Sequence, residues 1–272
     1  MSTTTAPATR RGFGVTSRKD NWWITPVLTF LGLSAFVGYS TWAAFQASDY
    51  FSKVAGADYL SPFYSPVLFD VAGQKSGHAL FGTQPSWWPG FLPFSPAFLI
   101  LWAPAGFRLT CYYYRGAYYK AFWADPPSCA VGEPRKKYLG ENSLPLIIQN
   151  VHRYFLYVAI GFLFFLAYDA YRAMWFTNAA GKEGFGIGFG TIVLSLNVVF
   201  LGGYTLGCHS LRHLVGGFMN HISKAPLRHR CYSCVSGLNK RHMLWAWCSL
   251  FWVGFTDVYV RFLADKIDFR LF

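Results

Sequence analysis

Three side chains that bind metals occur close together where a long apolar run of the sequence ends, at Cys208, His209 and His213. His209 and His213 are four residues apart, so they share one face if this segment is helical. An ionisable group at a membrane boundary is costly unless it faces a protein interior, a cofactor or water. The segment therefore predicts a membrane-bound redox centre with thiolate and imidazole ligands.

The composition is typical of a membrane protein. Of the 272 residues, 53% are hydrophobic and only 13% are charged, which is about half of the charged fraction of a soluble domain. The net charge of +12 would suggest nucleic-acid binding in a soluble protein. Here the basic residues fall in short segments beside apolar runs, as the positive-inside rule describes. We therefore predict contact with membrane lipid and no nucleic-acid partner.

The apolar runs predict an all-α fold, an integral membrane bundle of five transmembrane helices in a domain of residues 22–265. Each run is long enough to cross a hydrocarbon core of about 30 Å at about 1.5 Å per residue. The predicted spans are residues 22–46, 93–122, 144–176, 187–218 and 242–263. Residues 1–21 form a segment before them, residues 47–92 a loop or lid at the membrane interface, and residues 220–241 a basic loop.

The distribution of lysine and arginine predicts the orientation. Five spans place the termini on opposite sides, and with the N-terminus inside, 12 basic residues fall inside and five outside. We therefore predict a multi-pass protein of the plasma (inner) membrane with a cytoplasmic N-terminus. This topology brings candidate ligands to a similar depth at the cytoplasmic ends of four helices. They are Cys111, His152, Cys208, His209, His213 and His242.

These six residues are more than one metal centre needs, and we predict that four of them are the true ligands. Two kinds of centre are possible. Histidines from different helices can supply the axial ligands of haem b. Alternatively, two cysteines and two histidines hold a Rieske-type 2Fe–2S cluster, whose potential reaches the range of quinones. Cys111 and Cys208 are the natural thiolate donors, because they lie near the depth of the histidines.

Other residues extend or compete with this set. Cys231 and Cys234 have the spacing of a C-x-x-C metal motif but lie in the predicted basic loop, and Cys129 is a further alternative. Arg153 and Arg212 adjoin the histidines and are predicted to orient a quinone carbonyl or a haem propionate. A transporter is a third class, since intramembrane His and Arg residues can line a substrate path. However, no inverted repeat is visible, and the polar groups gather at one membrane face.

Five motifs resemble the membrane anchor subunit of actinobacterial succinate dehydrogenase, the respiratory complex II. The motifs are Arg108-Leu-Thr-Cys-Tyr-Tyr-Tyr-Arg115, Asp125-Pro-Pro-Ser-Cys-Ala-Val-Gly-Glu-Pro-Arg135, Asn150-Val-His-Arg-Tyr-Phe155, Gly207-Cys-His-Ser-Leu-Arg-His213 and Arg241-His242-Met243. The chain most resembles the single-anchor, five-helix form of mycobacteria, called type F, and the resemblance covers most of residues 20–265.

The resemblance implies a subunit that docks a flavoprotein subunit and an iron–sulfur subunit at the cytoplasmic face and passes their electrons to a quinone. It implies no chemistry on succinate in this chain. The mycobacterial-like form is associated with a Rieske-type 2Fe–2S cluster in place of haem, whereas other anchors of complex II bind b haems. We therefore predict an anchor subunit of succinate:quinone oxidoreductase with a 2Fe–2S centre, and a b-haem anchor remains the alternative.

Overall fold

The computed structural model of the chain describes residues 12–54, 56–72, 76–135, 142–144, 146–178, 180–267 and 269. Basic residues that entered the prediction of orientation, among them Arg10, Arg11, Lys136 and Lys137, lie outside the described residues. The chain divides into two units. The N-terminal unit comprises residues 1–35 and 109–150, and the main unit comprises residues 36–108 and 151–272.

The structure is mostly helical, which confirms the predicted all-α membrane fold. The α-helices are α1 (Ile24–Gln46), α2 (Pro96–Ile100), α3 (Trp102–Leu109), α4 (Tyr112–Tyr118), α5 (His152–Arg172), α6 (Phe189–Leu206), α7 (His209–Gly216), α8 (Pro226–Asn239), α9 (His242–Val258) and α10 (Ala264–Ile267). Among the described residues, four helices are long and apolar enough to cross a membrane. They are Ile24–Gln46, Ile147–Arg172, Phe189–Leu206 and His242–Ile267, in which short 3₁₀ or π turns extend α5 and α9.

The predicted span 93–122 is not one continuous helix, so the count of five spanning helices is not exact. It is divided into α2, α3, α4 and a π-helical turn, Tyr119–Trp123. In the first turn of α3, Pro104 has no amide hydrogen to donate to the Ile100 carbonyl at the end of α2, which weakens the continuity of the two helices. Between α3 and α4, Cys111 is extended, with φ −64° and ψ 130°, and begins a new helix as its N-cap.

Two other segments differ from the sequence prediction. The predicted span 187–218 is interrupted after Leu206, because Cys208 is extended (φ −63°, ψ 140°) and caps the separate helix α7. The basic loop predicted at 220–241 is largely helix α8, which begins at Pro226. Proline is favoured at the first helical position because its fixed φ suits the helix and its missing amide hydrogen is not needed there.

In the main unit, α6 packs against both α5 and α9. The Thr191 hydroxyl of α6 donates to the Ala173 carbonyl just after α5 at 2.7 Å, and the Trp252 indole of α9 donates to the Val193 carbonyl of α6 at 3.0 Å. These contacts join the C-terminal part of α5 to the start of α6, so the two helices run antiparallel. The N-termini of α5 and α9 therefore lie at the same end of the bundle as the C-terminus of α6.

The segment 47–92, predicted as a loop or lid, contains an antiparallel hairpin of β1 (Phe51–Val54) and β2 (Ala57–Leu60). A second hairpin, β3 (Trp175–Thr177) and β4 (Glu183–Phe185), connects α5 to α6. Tyr59 of β2 is fully buried in a cluster with residues of α6 and the end of α9. The segment thus packs on the bundle end opposite to His152.

The N-terminal unit orders the residues just before α1. Gly14 and Val15 exchange backbone hydrogen bonds with Gly132, at 2.9 and 2.8 Å. Arg18 donates to the Ser128 hydroxyl at 2.8 Å and also binds Asp20, which lowers the pKa of that carboxyl below its usual value. Residues 12–20 are therefore held to the 128–132 loop.

Candidate functional site

Two of the predicted ligands, His152 and Cys208, form a buried pair although they are far apart in the sequence. His152 is the first residue of α5 and Cys208 is the N-cap of α7, and their exposed fractions are 7% and 1%. The distance from His152 Nε2 to Cys208 Sγ is 3.1 Å. The Cys208 sulfur also accepts a hydrogen bond from the Ser210 amide at 3.3 Å. The partial positive charge of a helix N-terminus favours an anion, which suits a thiolate ligand at this position.

A continuous array of aromatic rings joins His152 to His242 at the start of α9. The Phe107 ring stacks on His152 with centroids 4.6 Å apart and an interplanar angle of 9°. Phe107 contacts Tyr204 edge-on at 5.4 Å, and Tyr204 stacks on His242 at 5.0 Å and 16°. The two imidazoles are therefore connected through two rings that exclude water from the space between them.

Arg108 completes this region of the main unit. Its guanidinium lies 4.7 Å from the Tyr204 ring centroid and donates to the Ser249 hydroxyl at 2.9 Å and the Ala246 carbonyl at 3.3 Å. Cation–π and hydrogen-bond contacts of this kind hold a charge within apolar surroundings. No role for Phe107, Arg108 or Tyr204 followed from the sequence, although an arginine inside an apolar run is itself a signal of a functional site.

His209 and His213 form a different pair. They contact each other, with 2.9 Å between their Nε2 atoms, but both side chains are exposed on α7. Desolvation, followed by the neighbouring His213 and Arg212, lowers the pKa of His209 below its usual value. Their spacing is that of one helix face, as predicted, but the structure turns that face away from the buried pair.

The two arginines predicted to bind quinone have separate environments. Arg153 is exposed on α5. Arg212 of α7 donates to the Ser236 hydroxyl at 3.0 Å and the Tyr232 hydroxyl at 2.8 Å, both on α8. Arg212 therefore links α7 to α8 in this structure.

The other cysteines are dispersed. Cys111 is buried in the N-terminal unit at the start of α4, and Cys129 is exposed in the loop of the same unit. Cys231 and Cys234 are both exposed on α8. Within the part of the chain that the structure describes, no group of three or more His, Cys, Asp and Glu residues is arranged to hold a metal ion. The geometry thus brings together one thiol–imidazole pair and not the complete predicted set.

The fold and this pair define a helical integral membrane protein with a buried imidazole and thiol at one end of its bundle. A family model described as actinobacterial succinate dehydrogenase subunit SdhC matches residues 24–266. The chain belongs to this family, and it is the membrane anchor subunit of an actinobacterial succinate dehydrogenase, an oxidoreductase complex.

A solved structure supports the same assignment. A chain of the Mycobacterium smegmatis Sdh1 complex in the apo form is 44% identical to this one, with a TM-score of 0.84. The similarity covers 98% of this chain and 97% of that chain. No curated protein sequence matches the chain. The family resemblance seen in the motifs is therefore confirmed over nearly the whole length.

Proposed function

We propose that this subunit passes electrons from succinate-oxidising partner subunits to a quinone through a Rieske-type 2Fe–2S centre. The observation that carries the proposal is the contact between His152 Nε2 and Cys208 Sγ at 3.1 Å in a buried position. A buried thiol beside a buried imidazole is the donor chemistry that such a centre needs. The cluster would supply one-electron transfer at a potential near that of quinones.

The main unit offers candidate donors for three of the four positions of this centre. A Rieske-type centre takes two thiolates on one iron and two imidazoles on the other. Cys208, His152 and His242 lie in one water-poor region, connected through the rings of Phe107 and Tyr204. The second thiolate remains a prediction from the sequence, with Cys111 as its candidate.

Haem b remains the second candidate, because His152 and His242 lie on different helices as axial ligands require. The thiol of Cys208 distinguishes the two candidates. It lies 3.1 Å from His152 Nε2 in a buried position, and a haem b with two axial imidazoles has no use for a thiolate, whereas a Rieske-type cluster needs two. The donor set therefore favours the cluster.

The residues of this chain have three roles in the proposed transfer. His152, Cys208 and His242 would hold the centre, and Phe107 and Tyr204 would keep water from it. A metal-bound imidazole is oriented by what its other nitrogen and its ring contact, so the stacked rings also fix the ligand geometry. Succinate is oxidised in the partner subunits, and this chain contributes no group to that step.

We expect the flavoprotein and iron–sulfur subunits to dock on the surface of α8, at the cytoplasmic side of the plasma membrane. No side chain of α8 is buried in the isolated subunit. Arg230 and Lys240 are exposed there, and Leu227 is 75% exposed. An exposed basic surface with apolar side chains suits an acidic partner surface. Three spanning helices, α1, α5 and α6, precede this basic segment. With the divided segment 93–122 as a fourth crossing, α8 and the N-terminus are on the same side, which the positive-inside rule favours as the cytoplasmic side.

Reversing the charge of this surface is expected to weaken assembly. Arg230→Glu with Lys240→Glu should reduce recovery of the partner subunits with this chain, and the deficit against the wild type should be largest at low ionic strength, because salt screens both the lost attraction and the introduced repulsion. Co-purification at low and high salt measures this effect. Lys182→Glu, an exposed change in the β3–β4 hairpin at the other end of the bundle, is the control and should leave assembly unchanged. Equal recovery for both variants would contradict docking on α8.

Spectra of the purified complex after reduction with dithionite test the proposed centre. A rhombic EPR signal with a low average g value, together with iron in excess of the soluble clusters and no haem, is the expected result. A sharp b-type α-band with stoichiometric haem and no such signal would overturn the proposal and assign the histidines to haem.

A further inference from the structure

The exposed histidine pair of α7 has a geometry that the proposed cluster does not use. His209 and His213 have the spacing H-x-x-x-H, in which two imidazoles one helical turn apart lie on one face and can bind the same zinc ion. Their Nε2 atoms are 2.9 Å apart, whereas the ring centroids are 4.4 Å apart. The two rings therefore turn these nitrogens toward each other.

The separation of the two nitrogens suits two ligands of one metal ion. Imidazole nitrogens that each lie about 2.0–2.1 Å from an ion, at an angle of about 90–109°, are about 2.9–3.4 Å apart. The 2.9 Å between the Nε2 atoms is at the lower end of this range. Without an ion, the same contact is a hydrogen bond in which one ring donates and the other accepts. Both side chains are exposed, so an ion in solution can reach both nitrogens.

The helix that carries the pair is fixed by its neighbour α8. The Arg228 guanidinium of α8 donates to the Val215 carbonyl at 2.6 Å and to the Gly217 carbonyl, at the C-terminal end of α7. Arg212, between the two histidines, also binds α8. A helix held in this way keeps two ligands at a constant separation, which lowers the entropy that binding costs.

The surroundings of the pair select the class of ion. Among the described residues, no third His, Cys, Asp or Glu joins the pair in a group that could hold an ion, and Mg²⁺ and Ca²⁺ require oxygen ligands. Imidazole ligands instead suit Zn²⁺, Cu²⁺ and Ni²⁺. The Arg212 guanidinium is a like charge on the same helix, but its hydrogen bonds to Tyr232 and Ser236 direct it to α8. The pair therefore suits a transition-metal ion that keeps water at its other positions.

We propose that His209 and His213 form a surface site for one divalent transition-metal ion, with Zn²⁺ as the probe. Binding is a ligand exchange in which two imidazole nitrogens replace two waters of the ion, so no electron is transferred. The site is separate from the proposed cluster, whose candidate ligands in the main unit are His152, Cys208 and His242. It therefore does not depend on the proposed function.

Zinc titration of the purified complex tests the proposal. The background is Cys231→Ala with Cys234→Ala, because the two exposed thiols of α8 also bind zinc. Adding His209→Ala with His213→Ala should remove one bound zinc ion per copy of this chain, or weaken its binding by about tenfold or more. His221→Ala, a change at an exposed histidine outside the pair, is the control and should alter zinc binding by less than about twofold. Equal zinc binding in these two variants would overturn the site.

Chemical modification of the wild-type complex supplies a measurement that needs no variant. Diethyl pyrocarbonate modifies exposed imidazoles, and at a zinc concentration about ten times the dissociation constant the modification of His209 and His213 should slow about tenfold. The exposed His221 should react at an unchanged rate, and Mg²⁺ should protect none of the three. Equal protection of all three histidines, or modification of the pair at the same rate with and without zinc, would overturn the site.

The EPR spectrum of the reduced complex separates this site from the proposed centre. If His209→Ala with His213→Ala loses the zinc ion and keeps the low-g signal, the pair is a second site, as proposed. If the same variant loses the low-g signal, the pair belongs to the redox centre, which would overturn a separate surface site.

Discussion

Replacing Cys208 with serine is expected to remove the low-g EPR signal from the reduced complex and to lower quinone reduction to background. Serine keeps the size and a hydrogen-bonding group at the N-cap of α7, but it does not supply the soft thiolate that an iron–sulfur centre requires. Succinate oxidation with a soluble dye should be retained, because that reaction takes place in the partner subunits. His152→Ala should have the same effects, since its Nε2 lies 3.1 Å from the Cys208 sulfur.

The other cysteines and histidines serve as controls for this prediction. The EPR signal should persist in the double variant Cys231→Ala, Cys234→Ala, because both side chains are exposed on α8. It should also persist in Cys248→Ala, a change in α9 outside the proposed ligand set. His209→Ala with His213→Ala decides between the buried ligands and the exposed pair. Loss of the signal in that double variant, with its retention in Cys208→Ser, would show that the centre is held by the exposed pair.

Replacing Asp257 with asparagine is expected to give the largest loss of stability among single changes in the bundle. Asp257 is fully buried in α9 and forms an ion pair with Arg261, one turn later, at 3.3 Å. It also accepts hydrogen bonds from the Tyr39 hydroxyl at 2.5 Å and from the Ser61 hydroxyl. Removing one partner of a buried ion pair leaves an uncompensated charge, which costs on the order of 3–5 kcal/mol.

The effect should appear as a lower thermal midpoint of the purified complex and as faster proteolysis of the 47–92 segment. Removing both charges, as in Asp257→Leu with Arg261→Leu, should restore part of the lost stability, because no unpaired charge is then left in the bundle. Asp265→Asn, an exposed change in α10, is the control. A midpoint for Asp257→Asn equal to that of this control would contradict a stabilising role for the network.

Asp257 also illustrates how helices and connecting segments cooperate in this protein. Arg261 donates to the Ser48 carbonyl, just after α1, and its guanidinium lies 5.6 Å from the Trp42 ring. One carboxylate and one guanidinium therefore join α1, α9 and Ser61 of the segment that follows β2.

Much of the membrane architecture was determined by the sequence alone. Lipid offers no hydrogen bonds to the backbone, so a predominantly apolar run of about 20 residues is expected to cross the membrane as a helix. The helices α1, α5, α6 and α9 follow from this constraint. The motifs around Cys111, His152 and Cys208 were likewise sufficient to predict the family, because they depend on residue identity and spacing and not on packing.

Only the tertiary structure decided which candidate ligands are buried together. Spacing correctly puts His209 and His213 on one helix face, but whether that face is exposed depends on the turn of the chain at Cys208, which ends α6 and begins α7. The same turn directs the Cys208 sulfur to His152, a residue 56 positions away in the sequence. Such a contact depends on how α5 and α6 pack, and no local pattern encodes it.

The divided segment at 93–122 and the charge network were also decided at the tertiary level. Local hydropathy does not distinguish one long helix from α2, α3 and α4, whose boundaries are set by a proline and by the extended Cys111. Tyr39, Ser61 and Asp257 are far apart in the sequence, and the carboxylate is tolerated in the membrane because packing supplies it with partners. The sequence thus determined which segments enter the membrane, and packing determined which polar groups meet there, since each buried charge must be paired where it lies.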